Sequence, residues 1–182
     1  MSRHLIFWAF WGETMSKQVL LCVETNKTSD TDYKYISETI KYFYQDDRKV
    51  SYKPIYLGSK ARYNAPAIEK DIARRRKLFH GETSVIYFID VDDYDTSIET
   101  KNLYTKIKSY CDQRDYEFVF FTLDIEDVYV GRQIPKNEKV KVAADFARKK
   151  MINKISEKNL RSDAKRKHCS NILNVLDKFW ER

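Results

Sequence analysis

Glycine and proline are scarce in this chain, with 4 and 3 residues among 182. Such a composition leaves little room for long flexible linkers, and no internal boundary of the linker type is visible. The glycines form no Gly-x-x-x-x-Gly-Lys, Gly-x-Gly-x-x-Gly or Gly-x-Ser-x-Gly pattern. That argues against an intrinsic ATPase, a dinucleotide enzyme and an α/β-hydrolase. The 3 cysteines, Cys22, Cys111 and Cys169, are odd in number and far apart, which disfavours a disulfide framework or a structural zinc site. Cys22 reads as a small core residue and the cytoplasm as the simplest compartment. His4, His80 and His168 make no ligand pattern, so no catalytic histidine is assigned. Long apolar runs are missing too: Leu5 to Trp11 is apolar but falls short of the roughly 20 residues a spanning helix needs, so no membrane role is expected. Residues 1–16 read as an N-terminal extension, an added edge strand or hydrophobic lid ahead of a natural start at Met15-Ser16-Lys17.

What the chain does have is alternation. Lys17 to Val23 is a β-branched and apolar run, followed by a helical pattern over Asp32 to Tyr44 with Asp30 or Thr31 placed to cap it. Tyr52 to Leu57 reads as a short second strand ended by Gly58, and Pro66 opens a helix over Ala67 to Phe79. Ser84 to Ile89 is a third strand, Thr96 or Ser97 to Cys111 a third helix, and Phe118 to Leu123 a fourth strand whose aromatics suit a core. Glu138 to Trp180 shows two helical patterns separated near Asn159 to Asp163. This order predicts an α/β fold: a mainly parallel four-stranded sheet flanked by helices over residues 17–137, with a helical C-terminal extension of the same domain over 138–182.

The first and third strands are continuously apolar, as parallel strands buried on both faces are, and both stop at acid. The first ends at Glu24, and the third at Asp90-Val91-Asp92-Asp93, with Asp95 beyond. In an open parallel sheet the ligand site lies outside the carboxyl ends of the strands. Carboxylates gathered there raise one another's pKa unless a cation sits among them, and Mg²⁺ is the natural one, being hard and oxygen-seeking. Acids after strands also serve as turn formers and helix caps, the role expected of Asp93 or Asp95.

A glutamate ending a first strand, followed after helix, strand and helix by an Asp-x-Asp ending a later strand, resembles the Toprim domain of topoisomerases, primases and nucleases of the overcoming-lysogenization-defect type. The likeness runs from about Lys17 to Val130. Within that set it looks similar to the small stand-alone Toprim proteins of bacterial anti-phage and abortive-infection systems. The resemblance implies Mg²⁺- or Mn²⁺-dependent phosphodiester hydrolysis of DNA or RNA. Glu24 would be general acid/base or metal ligand, Asp90 and Asp92 metal ligands, and Asp124 and Glu126 candidates for further ligation. Thr25 stands where Toprim proteins place glycine. A catalytically degenerate protein that binds nucleic acid, or an interaction subunit docking on an ATPase partner, is therefore the alternative, and a homodimer stays open.

Charge adds to the nucleic-acid expectation. The excess of 34 Lys+Arg over 27 Asp+Glu gives +7, with clusters at Arg74-Arg75-Arg76-Lys77, Arg148-Lys149-Lys150 and Lys165-Arg166-Lys167. Such clusters neutralise phosphates, although solvated helix faces carry them as well. Lys60 and Arg62, after the second strand, are expected beside the acids, where they would meet phosphate, and Lys165, Arg166 and Lys167 on a basic helical face.

Overall fold

The computed structural model describes residues 17–44, 49–92 and 97–182. The expected N-terminal extension and the capping role of Asp93 or Asp95 lie outside the described residues.

Four strands form one all-parallel sheet in the order β2-β1-β3-β4: β1 Lys17–Val23, β2 Val50–Tyr56, β3 Glu82–Val91 and β4 Glu117–Thr122. β1 sits between β2 and β3, pairing Val23 with Tyr56 on one side and with Phe88 on the other. The chain leaves β1 toward one edge and returns to the other, so the crevice between the carboxyl ends of β1 and β3 is the switch point of the sheet.

Period-two alternation sorts the strand residues between two cores. Val19, Leu21, Val23, Ile86, Phe88, Val119 and Phe121 face α1 (Thr31–Phe43), α4 (Ile125–Val130), α5 (Lys139–Arg148) and α7 (Ile172–Leu176). Leu20, Cys22, Val85, Tyr87, Ile89, Phe118 and Phe120 face α2 (Pro66–Leu78) and α3 (Ile98–Asp112). Because both faces are covered along β1 and the middle of β3, those strands carry continuous apolar runs, whereas the edge strand β2 keeps Ser51 and Lys53. Pro66 opens α2 as expected, and the Ser97 side chain accepts the Thr100 N–H to cap α3. Asp30 does not cap α1 with its side chain. It takes a left-handed backbone at φ 51° and accepts the Tyr56 hydroxyl instead.

The C-terminal extension differs from the two helices expected. It holds α5, a 3₁₀ turn over Met151–Lys154, the single turn α6 (Glu157–Leu160) and α7. Lys150 at φ 50° ends α5, and residues 161–171 form an irregular strap rather than a helix. The strap closes the outer edge of β4: Ser170 bridges Phe121 in antiparallel sense, and Thr122 donates its N–H to the Cys169 carbonyl. Asn171 completes the seal, its Oδ1 accepting the Phe120 N–H at 2.9 Å and its Nδ2 donating to the Phe118 carbonyl at 3.1 Å. An unpaired edge strand is thereby given backbone and side-chain partners. Phe146, Ile152, Leu160, Leu173 and Trp180 of the extension are buried even so, in the core shared with α1. No helix among the described residues is long and apolar enough to cross a membrane.

Candidate functional site

Once β1 runs out at Val23, Glu24 extends across the switch point. Its Oε1 accepts the Asp90 backbone N–H at 2.7 Å, tying the end of β1 to the end of β3. The chain then turns tightly around Asn26, whose Oδ1 accepts the N–H groups of Thr28 and Ser29 at 3.0 and 2.9 Å. In the first turn of α1, Asp32 reaches back, and its Oδ2 accepts the Thr25 N–H at 3.1 Å while the Thr31 hydroxyl donates to Oδ1. The loop carrying Glu24 is thus stapled by a second buried acid.

Lys60 comes from the turn after β2. Gly58 at φ 76° makes that turn, and Ser59 caps the short 3₁₀ helix Lys60–Arg62. The Lys60 ammonium donates to the Asp90 carbonyl at 2.9 Å and to Asp92 Oδ2 at 2.6 Å. Arg62, one turn farther, is exposed.

From β4 comes a second acidic pair. Leu123 at φ 63° bends the chain so that Asp124 caps α4, its Oδ1 accepting the Asp127 N–H at 2.8 Å. Asp124 Oδ2 and Glu126 Oε2 share the Lys139 ammonium at 3.1 and 2.8 Å. Glu126 is 1% exposed and its Oε1 has no hydrogen-bond partner. The fully buried Tyr35 hydroxyl, which feels the charges of Glu126, Asp124 and Asp32, has none either.

Crowding and burial shape the electrostatics. Glu24 and Asp90 keep some surface at the cleft floor but are enclosed on most sides. Burial pushes Glu24 up to about 8; Lys60 and the Asp90 N–H pull against it, and the charges of Asp32 and Asp92 add to it. Asp90 rises well above the ordinary aspartate range, first through burial and then through Glu24, Asp32, Asp92 and Glu126. Burial likewise raises Asp32 and Glu126. Burial alone would lower Lys60, yet Glu24, Asp92 and Asp90 outweigh it and hold the ammonium above the usual lysine value. Lys139 is raised in the same way, by Glu126 and Asp124.

Of the residues picked from sequence, Glu24, Asp90, Asp92 and Lys60 meet at the switch point, with Asp124 and Glu126 beyond Asp32 on the β4 side. Lys165, Arg166 and Lys167 lie on the strap. The Lys165 ammonium rests 4.3 Å from the Tyr104 ring centroid, whereas Arg166 and Lys167 are exposed. Asp32 and Lys139 are site residues that sequence reasoning missed. Asp32 had a legible signal, an acid in the first turn of the helix that follows the glutamate-ended strand. Lys139 had none, since only the fold brings α5 over α4.

The chain matches no family model, no curated protein and no solved structure.

Among the described residues, no group of three or more His, Cys, Asp or Glu side chains is arranged to hold a metal ion. The donor chemistry nonetheless suits a hard cation: every acid at the cleft offers only carboxylate oxygen, and the Glu126 Oε1 is buried and unpartnered. Lys60 and Lys139 supply the neutralising charge to Asp92, Asp124 and Glu126.

Proposed function

We propose that this protein is a Toprim-like phosphodiester hydrolase acting on DNA or RNA, with the cleft between β1 and β3 as its centre. The observation that carries this reading is the hydrogen bond from the Asp90 backbone N–H to the Glu24 carboxylate, which ties the acid that ends β1 to the acid-bearing end of β3 at the switch point. Mg²⁺ or Mn²⁺ among Glu24, Asp90 and Asp92, with Asp124 and Glu126 beside them, would supply Lewis-acid stabilisation of charge on the phosphate. The chain's own groups provide the rest. Glu24, with its pKa near neutrality, can hold or release a proton at Oε2 while Oε1 stays anchored to the Asp90 N–H. Lys60 can turn its ammonium from Asp92 to a phosphate oxygen, keeping its bond to the Asp90 carbonyl. The overall excess of basic residues favours arrival of a polyanion.

The test is incubation with mixed DNA and RNA in Mn²⁺, Mg²⁺ or EDTA. Cleavage in either metal, absent in EDTA and in Glu24→Gln or Asp90→Asn, is the expected result. No cleavage by the unaltered protein in either metal would contradict it. The ion pairs of Lys60 and Lys139 favour a second reading, in which lysines meet the acids' need for positive charge and the cleft binds nucleic acid without cutting it. Tight binding without cleavage, unaffected by EDTA, would select that reading.

A further inference from the structure

At the opposite end of the sheet lies a cavity of about 320 Å³, lined by Gln18, Lys53, Arg74, Arg75, Leu78 and Phe79. Gln18 lies six residues before Glu24 on the same strand, which separates this cavity from the acid cleft by roughly 20 Å at 3.3 Å per residue. The two therefore cannot be parts of one small-molecule site.

The floor is fixed. Gln18 is 5% exposed and donates to the Thr83 hydroxyl at 3.1 Å and to the Arg75 carbonyl at 3.5 Å. Lys53 projects from β2, the edge strand, and Arg74 and Arg75 from the last turns of α2. Cations near a helix C-terminus often do no more than complement its dipole, which amounts to about half a negative charge. Here the positive charge exceeds that need. Among the described residues three cations line the cavity, and its two arginines share one carboxylate, Asp71, at 2.6 and 3.0 Å. Arg76 and Lys77 follow on the same helix, and the other acid of α2, Glu69, is already paired with Arg114. The guanidinium of Arg74 stays exposed on its outer side, with donors to spare for an oxyanion.

One wall is apolar. Leu78 is 68% exposed, a high value for a large aliphatic side chain, and Phe79 beside it is half-buried. A cavity with a cationic side, an apolar side and room for about one nucleotide suits a ligand that couples phosphate to a flat ring system. We infer that this cavity, at the amino end of the sheet, is a second binding site for a nucleotide, either free or as one unit of a polynucleotide strand. Lys53 and Arg74 hold the phosphate in it, and Phe79 and Leu78 flank the base.

The inference is independent of whether the acid cleft cleaves anything, and its test is run in EDTA with the full chain. Fluorescence anisotropy would follow a fluorescent ATP analogue and a labelled short single-stranded DNA. The unaltered protein should saturate with at least one probe. Lys53→Gln with Arg74→Gln should raise Kd at least about tenfold. Both positions are on the surface, and unchanged circular dichroism and melting would show that the variant folds. Phe79→Ala should weaken binding as well, because a bare phosphate site would not need the ring. Saturation by the ATP analogue identifies a free nucleotide as sufficient, and saturation by DNA alone identifies a strand. Failure of both probes to bind up to about 1 mM, or affinity for the bound probe that is unchanged by both the double substitution and Phe79→Ala, would overturn the assignment.

Discussion

Replacing Glu24 with glutamine should make the metal-free protein more stable, and the gain should depend on pH in one direction. The glutamine carbonyl still accepts the Asp90 N–H, so the tie between β1 and β3 survives while the buried charge goes. In the folded state Glu24 is raised from 4.5 to about 8. Below the ordinary value the group is protonated in folded and unfolded chains alike, and it costs nothing. As pH rises, the unfolded chain ionises first and the folded chain keeps its proton, so stability falls until the folded group ionises and then levels off. At about pH 7 the displacement is worth about 3 kcal/mol, which solvent reaching the cleft floor would lower to about 2 kcal/mol. For a chain of this size that is a rise of about 4 to 8 °C in Tm. Near pH 5 the same substitution should gain under about 1 kcal/mol. Thermal melts in EDTA at the two pH values measure both. A Glu24→Gln protein that melts lower than its parent at both would show that the carboxylate is a structural cap, and the crowding argument would fail.

Removing Lys139 has the opposite effect. Lys139→Met strips Glu126 and Asp124 of their shared cation, and denaturant unfolding near pH 8 should show a loss of about 3 kcal/mol that shrinks near pH 5 as Glu126 takes up a proton. Asn171→Ala unseals the β4 edge, with an expected loss of about 1 to 3 kcal/mol and faster hydrogen exchange at the Phe120 amide. If the strap meets phosphate, reversing Arg166 and Lys167 to glutamate should weaken nucleic-acid binding and flatten its salt dependence by about 2 in log–log slope. Lys165, held on the Tyr104 ring, should contribute less to that slope when replaced alone.

The sheet was legible because its signal is one-dimensional. A strand buried on both faces must be apolar at every position, and Leu20-Leu21-Cys22-Val23 and Val85 to Ile89 are apolar whatever lies elsewhere in the chain. Glu24, Asp90 and Asp92 were legible for the same reason, as the first residues to break those runs. The strap was not. Its course depends on Asn171 meeting the amide and carbonyl groups of β4, some fifty residues away, and on single residues such as Lys150 taking a left-handed backbone. The apolar spacing of Phe146, Met151, Ile155 and Leu160 marks two buried and two partly buried residues but says nothing about where the helices break. Lys139 escaped notice because an ammonium at the start of a helix looks solvated until α4 is packed against it.

Calorimetric titration of Mn²⁺ near pH 7, in buffers of different ionisation enthalpy, measures whether the acids at the switch point receive a divalent cation. Glu24, held at about 8, keeps its proton there, and burial and its neighbours raise Asp90 in the same direction, so an ion bound to Glu24 must expel a proton. Saturable binding with release of about one proton or more per ion, abolished in Asp90→Asn, is the expected result. Absence of binding, or binding that releases no proton and persists in Asp90→Asn, would contradict it.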